Sequence, residues 1–217
     1  MKFECTNVYN IDGALRGMRN PLNSWAKSDS QWVYENPRDS GHYEIGPNDM
    51  DLARRLINGG SEHRKFLRQI FVSVDITGPL YWWKELDTYK VGTTANSTST
   101  MHKLASTPIT KECFEMDDYC GDKLDLIDEA RFGWRMESFL DDLEQLRLIY
   151  LETKDKRYWK ELVRWLPNGW LQTRTWTANY EVLRTIYHQR QGHKLTEWNA
   201  FCKWVETLPY AKELIID

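Results

Sequence analysis

The sequence predicts an α+β fold in which helices dominate around a small central sheet, and three observations carry that expectation. Ile70, Val72, Val74 and Ile76 fall two apart, with Phe71, Ser73 and Asp75 between them, which is the period of a strand with one buried face. From Arg135 to Leu151 the apolar residues Met136, Phe139, Leu140, Leu143, Leu146 and Ile149 recur at spacings of three and four, the stripe of an amphipathic helix. LQTRTWTAN alternates Thr173, Thr175 and Thr177 against Gln172, Arg174 and Trp176. It leads straight into YEVLRTIYHQR, where Val182, Leu183, Ile186 and Tyr187 take helical spacing.

The remaining elements follow in chain order. Phe3 to Ile11 reads as a first strand, and LRGMRNPLNSWAKSDSQW as loop with at most one helical turn. Within it Arg16 and Arg19 stand three apart beside Asn20 and Asn23. They form either a clamp for a phosphate or, on the plainer alternative, a solvated basic edge. The stretch to Gly46 holds Pro37 and Gly41 without a period and reads as a long loop. Pro47-Asn48-Asp49 opens a helix with Leu52, Leu56 and Ile57 on one face, closed by Asn58-Gly59-Gly60. Thr77-Gly78-Pro79 breaks the central strand, and Pro79 starts a helix through Leu80, Trp83 and Leu86 that ends near Tyr89. The polar run VGTTANSTST either loops over the surface or lines a pocket, with hydroxyls and Asn96 able to bond a ligand's oxygens. CFEMDDYCGDKLDLIDEA is acidic and reads as lid, loop or helix start. Asp155 to Trp165 reads as a helix stopped by Leu166-Pro167-Asn168-Gly169, and a final helix includes Trp198, Phe201, Cys202, Val205 and Leu208. With no long linker and no internal repeat, residues 1–217 read as a single domain, two small ones being the alternative.

Composition narrows the function. Aromatic residues make up 13% of the chain, with 11 Trp and 11 Tyr, yet mean hydropathy is −0.67, so the apolar mass sits in large rings amid a polar background. A net charge of −3 and a pI near 6.0 give no overall attraction to a nucleic-acid backbone or an anionic membrane. No apolar run reaches the length of a spanning helix, and MKFECTNVYN has no signal core, so a soluble cytoplasmic protein is expected. Cys5, Cys113, Cys120 and Cys202 are scattered, and the six residues between Cys113 and Cys120 do not make a zinc spacing. His188 and His193 lack partners at ligand spacing, so no metal is expected. Neither a nucleophile elbow nor a P-loop nor a dinucleotide fingerprint occurs.

Two segments resemble the flavin-dependent thymidylate synthases, and together they cover roughly half the chain. Ser61-Glu62-His63 stands where that family has an FEH-like triplet before a strand. From Pro79 onward, Thr88, Tyr89 and Lys90 fall on the RHR triplet of the signature RHRxxSxNExSxR, and Thr93 falls on its first serine. Ala95 and Asn96 then fall on the Asn-Glu pair, and Thr98 on the second serine. A slip of one residue instead puts Asn96 on the asparagine and Ser99 on the second serine. The second segment is similar in pattern: Leu166-Pro167, Thr173, Trp176-Thr177-Ala178-Asn179, a helix reaching Arg190, then His193 and Glu197 on the family's histidine and glutamate.

The resemblance implies a thymidylate synthase-like fold, a homotetramer with sites between subunits, FAD as cofactor and a pyrimidine nucleotide as substrate. It places Arg190, Lys90, Thr93, Asn96, Ser97 and Ser99 on the substrate side, and His63, Asn179 and His193 on the cofactor side. Each has a plainer alternative: Asn179 as a helix N-cap, Arg190 as a complement to a helix end, the histidines as packing residues, and Trp82-Trp83 as core in place of a base platform, for which Tyr81 and Trp176 are further candidates. A guanidinium grips phosphate in a fork that neither Thr88 nor Tyr89 reproduces, and Lys90 gives only a point charge. The expectation is therefore a nucleotide-binding protein with little or no synthase activity, serving sequestration or sensing. The alternative is an active flavin-dependent enzyme acting at pyrimidine C5.

Overall fold

The computed structural model describes residues 1–36, 41–117 and 129–217. Pro37, Cys120 and the middle of the acidic stretch lie outside them. The strands are β1 (Lys2–Tyr9), β2 (Gln31–Val33), β3 (His42–Glu44), β4 (Phe71–Pro79), β5 (Thr94–Ser97) and β6 (Leu171–Asn179). The helices are α1 (Ile11–Met18), α2 (Pro47–Asn58), α3 (Leu80–Leu86), α4 (Thr100–Lys103), α5 (Glu129–Thr153), α6 (Lys156–Trp165), α7 (Tyr180–Arg190) and α8 (Thr196–Glu206). A four-stranded sheet has the order β1-β4-β6-β5, and β2 pairs antiparallel with β3 as a separate ribbon. The fold is α+β and helix-rich, as the hydrophobic periods require.

The chain divides into two compact units, and β4, β5 and β6 each contribute residues to both. One unit holds Met1–Lys2, Ile76–Asp87 and Asn96–Arg174. Its core gathers Leu104, Ile109, Phe114, Leu140, Leu143, Leu162 and Trp170, so the stripe read on α5 packs inward against α6. Asp155 caps α6 by accepting from the Arg157 N–H at 2.9 Å. Trp83 is 1% exposed and donates its indole N–H to the Gln172 carbonyl at 3.0 Å, which makes it core, and Trp82 is equally buried.

The other unit holds Phe3–Asp75, Thr88–Ala95 and Thr175–Asp217. Ile70, Val72 and Val74 are fully buried here, whereas Phe71 between them is half exposed, the alternation expected of this strand. Helix α7 buries Tyr180, Leu183, Ile186 and Tyr187, and packs against the short 3-10 turn Arg64–Gln69 and the wide closing turn Lys212–Ile216. Trp176 is buried against Phe201, so it is core as well and not a base platform.

Several expectations are corrected. The first strand ends at Tyr9, short of Ile11; α1 runs from Ile11 to Met18, burying Ala14, Leu15 and Met18, and enters the expected loop by about one turn, while the stretch to Gly46 carries the β2–β3 ribbon. Strand β4 runs on through Thr77-Gly78-Pro79, and α3 ends at Leu86, short of Tyr89. The polar run after it contains β5, a strand exposed along its whole length.

Arg19 is neither a phosphate clamp nor a solvated edge. It is buried, and its Nε donates to Asp49 Oδ1 at 2.5 Å while Nη1 reaches the Ser24 carbonyl at 3.3 Å. Asp49 is completely buried in the first turn of α2, and its Oδ2 accepts from the Ser28 and Ser30 hydroxyls at 2.6 Å each and from the Ser30 N–H at 3.2 Å. Asp29 answers from the same loop by accepting the Asn48 and Asp49 N–H groups of α2. One carboxylate thus ties α1, the Ser24–Ser30 loop and α2 together.

Burial pushes the Asp49 carboxyl up, but the bonds from Ser28, Ser30 and Arg19 outweigh it and hold it below its ordinary value. A depressed folded-state value means that this stability is present above the unfolded value, about 3.9, and is lost as pH falls through the folded one. Asp49→Ala strands a buried guanidinium, so chemical denaturation should show a loss of about 3 to 5 kcal/mol. A loss of about 1 kcal/mol or less, typical of an exposed pair, would contradict the buried tie.

Candidate functional site

The junction of β6 and α7 has no intervening loop. Asn179 is the last residue of β6, with extended backbone, and its side-chain oxygen accepts the Val182 N–H at 3.0 Å, so it caps the helix. Glu181 follows in the first turn and accepts both 3.0 Å bonds from Arg64 Nε. This turn forms one wall of a 490 Å³ cavity; Thr88–Gly92 forms another, and Arg68 lines it too. Gly92 has φ of 77°, and a Cβ there would come within 2.9 Å of Asn179 Nδ2, so both the left-handed backbone and the close approach call for glycine.

Beside this cavity lies a cluster built around Tyr89 and the far end of α7. Arg190 Nε donates to the Tyr89 hydroxyl at 2.9 Å, and that hydroxyl donates to Gln189 Oε1 at 2.9 Å. The Arg190 guanidinium lies 4.5 Å from the centroid of the buried Trp198 ring and 5.6 Å from that of Tyr89, within cation–π range of both. His193 accepts the Leu195 N–H at Nδ1, at 3.1 Å. A neutral imidazole accepting at Nδ1 carries its proton on Nε2, so the 3.3 Å approach of Arg190 Nη1 to Nε2 sets two donors side by side and is not a bond in that tautomer.

The residues expected from sequence are thus distributed. Lys90 and Asn179 line the cavity, together with Tyr89. Arg190 and His193 stand behind Tyr89. Thr93 donates its hydroxyl to the Tyr89 carbonyl at 2.7 Å and so holds the turn. Asn96 and Ser97 are exposed on β5, and Ser99 caps α4 by accepting the His102 N–H; these three belong to the other compact unit. His63 is exposed and lines a different, larger cavity of 580 Å³ whose apolar wall includes Met18, Leu52, Leu56 and Phe66.

Sequence reasoning missed Arg68, Glu181 and Gly92. Nothing in HRKFLRQ separates Arg68 from its cationic neighbours, whereas a glycine inside the polar run VGTTANSTST was a signal that could have found Gly92. Burial, then the Glu206 charge, pushes the Cys202 thiol up to about 11, which leaves it inert as a nucleophile near neutral pH. Among the described residues no group of three His, Cys, Asp or Glu side chains is placed to hold a metal ion, and no helix is long and apolar enough to cross a membrane.

No family model matches the chain, and no curated protein matches it by sequence. Solved structures do. Flavin-dependent thymidylate synthase ThyX from Helicobacter pylori, complexed with FAD and dUMP, matches 99% of this chain over 98% of its own, with a TM-score of 0.69 at 18% identity. A second structure of that enzyme with FAD and dUMP gives 0.67 at 18% identity, covering 99% and 97% of the two chains. The chain therefore has the flavin-dependent thymidylate synthase fold.

Proposed function

We propose that this protein is a divergent member of the thymidylate synthase-like family that binds a pyrimidine nucleoside monophosphate, sequestering or sensing it with little or no synthesis. The observation that carries the reading is that Tyr89, Lys90 and Asn179, drawn from the two segments that resemble the family, line one cavity. Lys90 and Arg68 supply positive charge there, and the α7 N-terminus favours an anion. Val91 and Val182 give the base an apolar wall. Arg190 acts through Tyr89, whose hydroxyl it fixes at the cavity's edge.

The same wall argues for binding over chemistry. Where the family's triplet carries three groups able to hold positive charge, this chain has Thr88, Tyr89 and Lys90, and Glu181 adds a carboxylate already engaged by Arg64. Thr93 stays on the substrate side in this proposal, through its hold on the Tyr89 turn, whereas Asn96, Ser97 and Ser99 belong to the other unit and take no part in it. FAD is a second reading, and the 580 Å³ cavity favours it. Its apolar side chains suit a flavin ring, and His63, Gln69 and Asn20 offer hydrogen bonds to the ring's polar edge. Loaded there, a flavin would supply hydride chemistry. A purified protein that absorbs in the flavin bands would support that reading.

The subunits are proposed to form a homotetramer. Leu148 and Leu151 of α5 and Val163 and Trp165 of α6 are exposed at 37% to 57%, an apolar surface that an assembly would cover. Mass measurement in solution should give a tetramer; a strict monomer contradicts the shared assembly.

The nucleotide reading is tested by calorimetry with dUMP and a panel of other nucleotides. dUMP at about a hundred times its dissociation constant should add about 2.7 kcal/mol to stability. Lys90→Ala should weaken binding by about tenfold or more, the loss of one charged hydrogen bond. Arg190→Ala, which frees the Tyr89 hydroxyl without removing a group from the cavity, should weaken it by less than Lys90→Ala does, and Arg190→Lys should recover part because an ammonium can still donate to that hydroxyl. No nucleotide binding by the parent protein, or parent-like affinity in both alanine variants, would end the reading.

A further inference from the structure

The segment after helix α1 carries aromatic side chains that the nucleotide reading does not use. Trp25 is 41% exposed and Trp32 46% exposed, and both line a separate cavity of 300 Å³ with Asp12, Arg16, Ser28 and Tyr43. Large rings left open to solvent around a concave site mark a place for a planar ligand. The rings are held in place. Trp25 donates its indole N–H to Asn20 Oδ1 at 2.9 Å, and Trp32 meets the Tyr43 ring edge-on at 5.6 Å. The Arg16 guanidinium lies 5.6 Å from the Trp25 centroid.

The polar lining selects among planar ligands. Arg19 reaches this cavity but is committed to Asp49, so the charges left to a ligand are Asp12 and Arg16, one of each sign. Arg16 opposes a cation, which sets aside the quaternary ammonium that an aromatic cage usually takes. Asp12 offers only acceptors, and Ser28 gives its proton to Asp49 and keeps a lone pair for a ligand. A carboxylate is best matched by two adjacent N–H donors on one edge of a flat ring. Among the common bases, guanine alone presents a ring N–H beside an exocyclic amine, with a carbonyl that Arg16 can bond. We propose that the cavity between Trp25 and Trp32 is a binding site for a guanine base, stacked on indole and read by Asp12.

The probe is guanosine, which carries no phosphate, titrated against tryptophan fluorescence with adenosine and uridine alongside. Guanosine should quench the emission and bind about tenfold or more tightly than the other two, the worth of a well-placed polar pair. Trp32→Ala should weaken it by about tenfold, as loss of one stacking surface does, while Trp32→Phe keeps most of the affinity. Trp32 is nearly half exposed, so the exchange opens no core. Asp12→Asn should remove the preference for guanosine over adenosine. Excess dUMP should leave the guanosine isotherm unchanged, and this site is tested whether or not dUMP binds. Absence of guanosine binding, equal binding of the three nucleosides, or a Trp32→Ala variant that binds guanosine as the parent does would overturn the proposal.

Discussion

The site depends on a strand that becomes a helix without a loop. Asn179 ends β6 and caps α7 with the same side chain, so the helix starts at a fixed point and in a fixed direction. Tyr180, fully buried, locks that start by donating its hydroxyl to the Pro209 carbonyl at 2.7 Å. Eleven residues of helix then span about 16 Å and deliver Gln189 and Arg190 to Tyr89. Thr88–Gly92 is held at both ends of this rod, through Gly92 against Asn179 and through Tyr89 against Arg190. A cavity wall made from an otherwise irregular segment is thereby given a definite shape.

That arrangement gives the tyrosine a role that a cation in its place would not fill. Tyr89 accepts from a guanidinium and donates to a carboxamide through one oxygen atom, which a cationic side chain cannot do. A charged group there would repel Arg190. At the position that resembles the family's triplet, a hydroxyl in place of charge trades, in the proposed reading, phosphate grip for fixation of the cavity's edge. The proposal of binding with little chemistry rests on that trade.

How much was legible depended on what each element leans on. Strands β4 and β6 and helices α2, α5, α6 and α7 carry their own apolar period, so their residues announced them. Helix α1 did not, because Gly13 and Gly17 lower its propensity and its buried face is only Ala14, Leu15 and Met18. Strand β5 has no buried face at all and exists because the edge of β6 offers it hydrogen bonds. In the site, Lys90, Asn179 and Arg190 were reached through the family resemblance. Arg68 was not, since charge alone does not say which way a side chain will point. Arg16 and Arg19 look equivalent in sequence, and only the burial of Asp49 beneath the Ser24–Ser30 loop separates their fates.

The most direct test of the proposed nucleotide cavity is amide hydrogen exchange with and without dUMP. The account predicts slowed exchange confined to Thr88–Gly92 and the first turn of α7, where the ligand meets backbone that it orders. Slowed exchange elsewhere with these two segments unchanged, or no change anywhere at saturating dUMP, would contradict it.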